Sequence, residues 1–134
     1  MDIKDIKFKA KRLNDGEWVK GDLVHSTSYI GICIYHPSNT FPDVPVIHKV
    51  DPNTVCMFTG LTDCEGKEIW EGDMLSNVTN DSPDGIVVFK YGAFSLLAKN
   101  GRDFCVALTY LLSKKESLNR FKVIGNKFDK ENNL

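Results

Sequence analysis

Thr59-Gly60-Leu61-Thr62-Asp63-Cys64-Glu65-Gly66-Lys67-Glu68-Ile69-Trp70-Glu71-Gly72-Asp73 is the stretch on which the fold turns. Its glycines at 60, 66 and 72 each stand beside a turn-forming or acidic residue, which predicts tight reversals at fixed offsets. Leu61, Ile69 and Trp70 are left to bury themselves between those reversals. Asp63 with Gly66 reads as one closed turn, and Glu71-Gly72-Asp73 as the tight entry into a strand beginning near Met74. Thr59, Gly60, Leu61, Asp63, Gly66, Glu71, Gly72 and Asp73 thus form a structural motif, a joint between two sheet-built halves at 1–58 and 59–134.

Working outward, the chain reads as strands. Ile6-Lys7-Phe8-Lys9-Ala10-Lys11 alternates apolar and basic residues, the period of a strand with one wet face, and Asn14-Asp15-Gly16 turns it toward Trp18 to His25. Gly21 predicts a bulge or bend in that second strand, and Tyr29 to Tyr35 supplies a third. His36 to Pro45, with three prolines, reads as a long loop. Short strands are predicted at Val46–Val50 and Thr54–Phe58, around a turn at Asp51-Pro52-Asn53.

Beyond the central block, strands are predicted at Met74–Val78, Gly85–Tyr91, Phe94–Ala98, Phe104–Val106 and Arg120–Asn126. Gly92-Ala93, Asn100-Gly101 and the polar run Asn80 to Asp84 connect them. Ala107 to Leu118 carries leucines at helical spacing, either a short helix or a single turn, and Asp129 to Asn133 is a polar tail. Short strands joined by glycine turns predict a mainly β chain: an N-terminal sheet followed by a small SH3-like barrel crossed by one short helix.

Composition narrows the function classes. A content of 42% hydrophobic and 26% charged residues excludes a fibrous or wholly disordered chain. The formal net charge of -1 gives no global electrostatic pull toward nucleic acid or anionic membrane, though a local basic patch stays open. The N-terminus lacks the continuous apolar run of a secretory signal and no segment reaches spanning length, so a cytoplasmic protein without membrane association is expected. The cysteines at 33, 56, 64 and 105 show no metal-clip or redox spacing; reduced packed thiols are expected, with Cys64 accessible.

In order and spacing, the blocks resemble the YopX-like family, encoded mainly by bacteriophages and prophages. The resemblance runs through Lys7-Phe8-Lys9-Ala10, Gly21-Asp22-Leu23, Val50-Asp51-Pro52-Asn53-Thr54-Val55 and Phe58-Thr59-Gly60-Leu61-Thr62-Asp63. It continues through Gly66 to Asp73, Gly85-Ile86-Val87-Val88-Phe89, Gly92-Ala93-Phe94 and Val123-Ile124-Gly125-Asn126, covering nearly the whole chain. Lys127 departs from the pattern, where an apolar residue is expected, and so does the absence of a proline in the tail after Phe128. The resemblance implies a compact, mostly β protein of phage or prophage origin; it carries over no catalytic residue and no cofactor.

Three function classes remain for the residues themselves. The first is a non-enzymatic accessory protein that acts by binding, as a homo-oligomer or with a host or phage protein; Phe41, Val44 and Val46 in and beside the proline-rich loop call for cover either by a partner or by the chain's own domain. The second is a nucleic-acid binder, using Lys7, Lys9, Lys11 and Arg12; a lysine-guarded edge strand explains the same residues. The third is a metal-dependent enzyme using the carboxylates Asp63, Glu65, Glu68, Glu71 and Asp73, against which the interruptions at Cys64, Gly66, Lys67, Ile69 and Trp70 count. His25, His36 and His48 with Cys56 or Cys64 offer zinc-type donors but no short clip spacing, so no metal site or cofactor is expected. Phe8, Trp18, Tyr29, Phe89, Phe94 and Phe104 are expected in the core.

Overall fold

A computed structural model of the chain describes residues 2–36, 44–78, 83–98, 105–108 and 121–129. Its side chains are described at the same positions except 34–36, 44, 45, 77, 83, 84, 105 and 106. The chain divides into two compact units, Met1–Phe58 and Thr59–Leu134.

In the first unit, β1 (Phe8–Lys11), β2 (Trp18–His25), β3 (Ile30–His36), β4 (Val44–Lys49) and the start of β5 (Cys56–Thr62) lie in the order β4-β3-β2-β1-β5. Alternation decides which side of β1 is buried. Phe8 and Ala10 turn inward onto Val19, Ile32 and Val50, with Ile30 and Val55 packed alongside, while Lys7, Lys9 and Lys11 take the other face. Each large side chain fully withdrawn from water here contributes about 2 kcal/mol. Asp51-Pro52-Asn53-Thr54 makes the predicted turn as a single 3-10 turn, with the Asp51 carboxylate accepting from the Asn53 N–H.

Gly21 marks the point where β2 changes partner. Trp18–Gly21 pairs with β1 and Asp22–His25 with β3. A Cβ on Gly21 would sit 2.2 Å from the Cys33 carbonyl oxygen, so the glycine is required by the close approach of β3.

In the second unit, the end of β5 forms a hairpin with β6 (Glu68–Trp70). A separate five-stranded antiparallel sheet has the order β10-β9-β8-β7-β11: β7 (Asp73–Asn77), β8 (Pro83–Lys90), β9 (Ala93–Ala98), β10 (Cys105–Ala107) and β11 (Phe121–Asn126). Ile69, Leu75, Val87 and Leu108 form its core, flanked by Leu61, Phe94, Leu96, Phe121 and Val123. The predicted SH3-like barrel is met only as an open meander, since no ladder joins β10 to β11 among the described residues. The helix expected over Ala107–Leu118 lies outside the described residues from position 109 onward, as do the Asn100-Gly101 turn, Phe104 and the tail from 130. Of the loop expected at His36 to Pro45 and the connection expected at Asn80 to Asp84, positions 37–43 and 80–82 lie outside them, while His36, Val44, Pro45, Pro83 and Asp84 belong to strands.

Two local expectations are corrected. The β8–β9 turn is centred on Tyr91 and Gly92, with Ala93 already paired to Lys90. Both centres have positive φ, 55° and 77°, which is the type I′ pattern that matches the twist of a two-residue hairpin. Phe89, expected in the core, is 48% exposed and meets Phe94 edge-on at 5.0 Å between ring centroids. No helix among the described residues is long and apolar enough to cross a membrane.

Candidate functional site

The central block folds into a hairpin in which the side chains of Thr59 and Asp63 are committed to backbone. Gly60, at φ 83°, interrupts β5, and Thr59 spans the irregularity by donating to the Ile69 carbonyl (2.6 Å) and accepting from the Leu61 N–H (3.2 Å). Asp63 to Gly66 then closes the hairpin, with the Gly66 N–H on the Asp63 carbonyl at 3.0 Å and Gly66 at φ 81°.

Asp63 is 7% exposed and saturates three backbone donors. Oδ1 accepts from Glu65 N–H (2.9 Å) and Lys67 N–H (2.8 Å), and Oδ2 accepts from Val123 N–H (2.9 Å). The Cys64 N–H also reaches the Phe121 carbonyl at 3.1 Å. Among the described residues β11 pairs with β7 along one side, and these two contacts cover its other edge.

Asp73 and Asn126 form the second junction, paired across β7 and β11 and both buried. Asp73 Oδ2 accepts from the Trp70 N–H (2.7 Å), closing the Glu71-Gly72 turn, and Oδ1 accepts from Asn126 Nδ2 (3.0 Å). Asn126 Nδ2 also donates to the Glu71 carbonyl (3.2 Å), and its Oδ1 accepts from the Phe128 N–H (3.0 Å). Gly72, at φ 86°, would place a Cβ 3.1 Å from Asn126 Nδ2, so the turn and the amide fit only without a side chain there. Sequence reasoning points to Asp73 and Gly72 but not to the role of Asn126, which it marks only as the end of an apolar strand and of the last block of the family resemblance.

These bonds bear on the metal reading. The inward-facing carboxylates, Asp63 and Asp73, are occupied by N–H donors. No group of three or more His, Cys, Asp or Glu side chains gathers among the described residues. His25 is exposed and His48 half-buried; Cys33 and Cys56 are buried thiols outside any disulfide, Cys56 donating to the Thr54 carbonyl at 3.3 Å, and Cys64 is exposed.

The lysine stripe is positioned differently from expectation. β1 is an interior strand between β2 and β5, so the lysines do not guard an edge. Each ammonium instead lies over an aromatic ring: Lys7 at 4.6 Å from the Phe58 centroid, Lys9 at 4.6 Å and Lys11 at 5.3 Å from that of Trp18. Such contacts contribute about 0.5–1 kcal/mol each where water has access. The Arg12 guanidinium grips the Asp15 carboxylate through Nε (2.9 Å) and Nη2. Nearby, an open cleft of 390 Å³ is lined by Arg12, Leu13, Asn14, Ile47, His48 and Lys49.

Asp15 is also held below the 3.8 of an unperturbed aspartate, first by the Glu17 N–H (3.0 Å) and then by Arg12. A carboxyl whose folded value is depressed stabilises the fold above its unfolded value and loses that contribution as pH falls through the folded one. The stability difference between the parent and Asp15→Asn is therefore expected to shrink as pH drops below 3.8, and carbon-detected titration of Asp15 should give a midpoint under that value. A midpoint above it would contradict the Glu17 and Arg12 contacts.

No curated protein matches the chain. A family model described as YopX protein matches residues 7–134, from the first lysine of the stripe through the Asp63 and Asp73 junctions, β11 and beyond. The chain belongs to the YopX protein family.

Proposed function

We propose that the chain is a non-enzymatic phage or prophage accessory protein that works by binding and self-associates through the open edge of β4. The carboxylates that looked most like chemistry hold backbone instead, at Asp63 and Asp73. The observation that carries the self-association is the edge itself: among the described residues β4 ends the sheet order, and Ile47 on it is 46% exposed beside an exposed Val46.

The ladder fixes what that edge offers. Val50 N–H donates to the Ile30 carbonyl at 3.0 Å, which makes Ile30–Val50 a hydrogen-bonded pair. Alternation along the antiparallel register then makes Ile32–His48 and Ile34–Val46 bonded pairs, and Cys33–Ile47 and Tyr35–Pro45 non-bonded ones. Ile47 therefore directs its N–H and C=O away from β3, and Pro45 sits where β3 requires no N–H of it. A second copy aligned antiparallel about Ile47 exchanges both bonds and sets Lys49 opposite Pro45 rather than opposite another lysine. The Lys49 carbonyl is already taken by the Leu13 N–H at 3.1 Å, which limits the pairing to a short stretch.

Light scattering is expected to give the mass of two chains or more, and Ile47→Lys to return a monomer, because a lysine on an edge opposes strand pairing. A wild-type mass of one chain at every concentration would refute self-association.

A further inference from the structure

The tip of the β8–β9 hairpin is built against the preference of its own residue. Among the described residues Tyr91 is the one non-glycine with positive φ, at 55°, and it is 92% exposed. A type I′ turn favours Asn, Asp or Gly at that position, and a side chain with a Cβ there is held in a costly conformation. With so little of the ring buried, packing does not offset the cost. The Lys90 ammonium lies 5.3 Å from the Tyr91 centroid, and the half-exposed Phe89 at the end of β8 stands edge-on to Phe94.

A second cation-aromatic pair stands at the same end of the sheet. The Lys127 ammonium is 4.9 Å from the Phe128 ring centroid. The Lys127 N–H bonds the Gly72 carbonyl (2.9 Å) and the Gly72 N–H bonds the Val87 carbonyl (2.7 Å), so Lys127, Gly72 and Val87 lie side by side across the strands. Lys90 follows Val87 by three positions along β8, which places the two lysine backbones ~15 Å apart from strand spacing and rise. The carboxylates at this end include Asp129, which accepts the Asn126 N–H (2.9 Å), Asp73, which holds Trp70 and Asn126, and Glu71 in the β6–β7 turn.

We propose that this end of the second unit binds single-stranded nucleic acid, with Tyr91 as a platform on which a base stacks and Lys90 and Lys127 as its phosphate contacts. The inference rests on reading the chain as a binding protein and names a partner for it. An exposed tyrosine ring beside ammonium groups matches a ligand that carries flat rings and regularly spaced anions together. A duplex keeps its base faces stacked inside, and an acidic peptide uses the cations but leaves the Tyr91 ring without a role.

The test is fluorescence anisotropy with a labelled oligothymidylate of about a dozen nucleotides, across a range of salt concentrations. Binding is expected at low salt, with a log-log salt slope of about −1.4 for two neutralised phosphates. Tyr91→Asn should weaken binding about fivefold or more, the low end for losing one stacked base. The same variant should raise Tm by about 3 °C, because asparagine tolerates the turn that tyrosine resists. Tyr91→Phe should keep the affinity, and Lys90→Ala with Lys127→Ala should flatten the salt slope. No binding at low salt, equal binding by Tyr91→Asn, or equal affinity for duplex would overturn the proposal. Its failure is separable from that of the self-association reading, which is decided by mass alone.

Discussion

Asp63→Ala is expected to lower the unfolding free energy of the second unit by about 3 kcal/mol. The side chain accepts from Glu65, Lys67 and Val123. A hydrogen bond to a charged acceptor contributes about 1.5–3 kcal/mol, and removal of the acceptor leaves its donors to find water. The Glu65 and Lys67 donors lie in an exposed hairpin tip where water replaces the carboxylate in part. The Val123 N–H lies in β11, so its loss is the costlier one. Asp63→Asn keeps a carbonyl oxygen for the hairpin but turns an NH2 toward Val123, or the reverse, and is expected to lose about half as much. Denaturant unfolding followed by tryptophan fluorescence reads both variants, since Trp70 is buried at the end of this hairpin's second strand. A loss below about 1 kcal/mol for alanine would mean that Asp63 does not hold β11 to the hairpin.

Gly21→Ala is expected to cost the first unit about 3 kcal/mol by a different mechanism, overpacking. The added carbon would lie 2.2 Å from the Cys33 carbonyl oxygen and 3.1 Å from both the Cys33 carbonyl carbon and Ile32 Cγ2. Neither backbone contact can swing aside as a long side chain would. Relief requires β3 to move off β2 where the Asp22–Cys33 pairing begins, which also disturbs Ile32 in the core. Gly60→Ala is the comparison: a Cβ there meets nothing within 4 Å, so its cost is confined to the positive φ. Backbone strain of that kind costs about 1–2 kcal/mol. If Gly21→Ala proves no worse than Gly60→Ala, the close approach at the partner switch is wrong.

Period is the most legible feature of the sequence. Lys7 to Lys11 alternates cleanly, and β1 buries Phe8 and Ala10 as that alternation requires. The turns at Gly66 and Gly72 are nearly as legible, because glycine enters the left-handed region without steric cost and a neighbouring acidic residue caps the reversal; both have positive φ. Sheet order is not legible, since alternation fixes which side chains are wet but not which strands flank them. Alternation alone therefore makes the β1 lysines look like edge protection, whereas the strand is interior and they sit on Trp18 and Phe58. Tyrosine favours extended backbone, which places Tyr91 in its strand on sequence grounds; only the Lys90–Ala93 pairing reveals that it occupies a turn. The bonds from Asp63 to Val123 and from Asp73 to Asn126 cross 60 and 53 positions, separations over which one sequence carries no visible signal.

Those long separations have a consequence for synthesis. As the nascent chain leaves the ribosome, the β5–β6 hairpin emerges well before β11, and until then the Asp63 and Asp73 carboxylates lack the Val123 and Asn126 groups that meet them in the finished fold. Completion of the second unit thus waits for the segment around Phe121 to Asn126 to be translated, and a polypeptide released early exposes both the bare hairpin and the edge of β7. Premature termination before Phe121 should give a product that proteases recognise and remove.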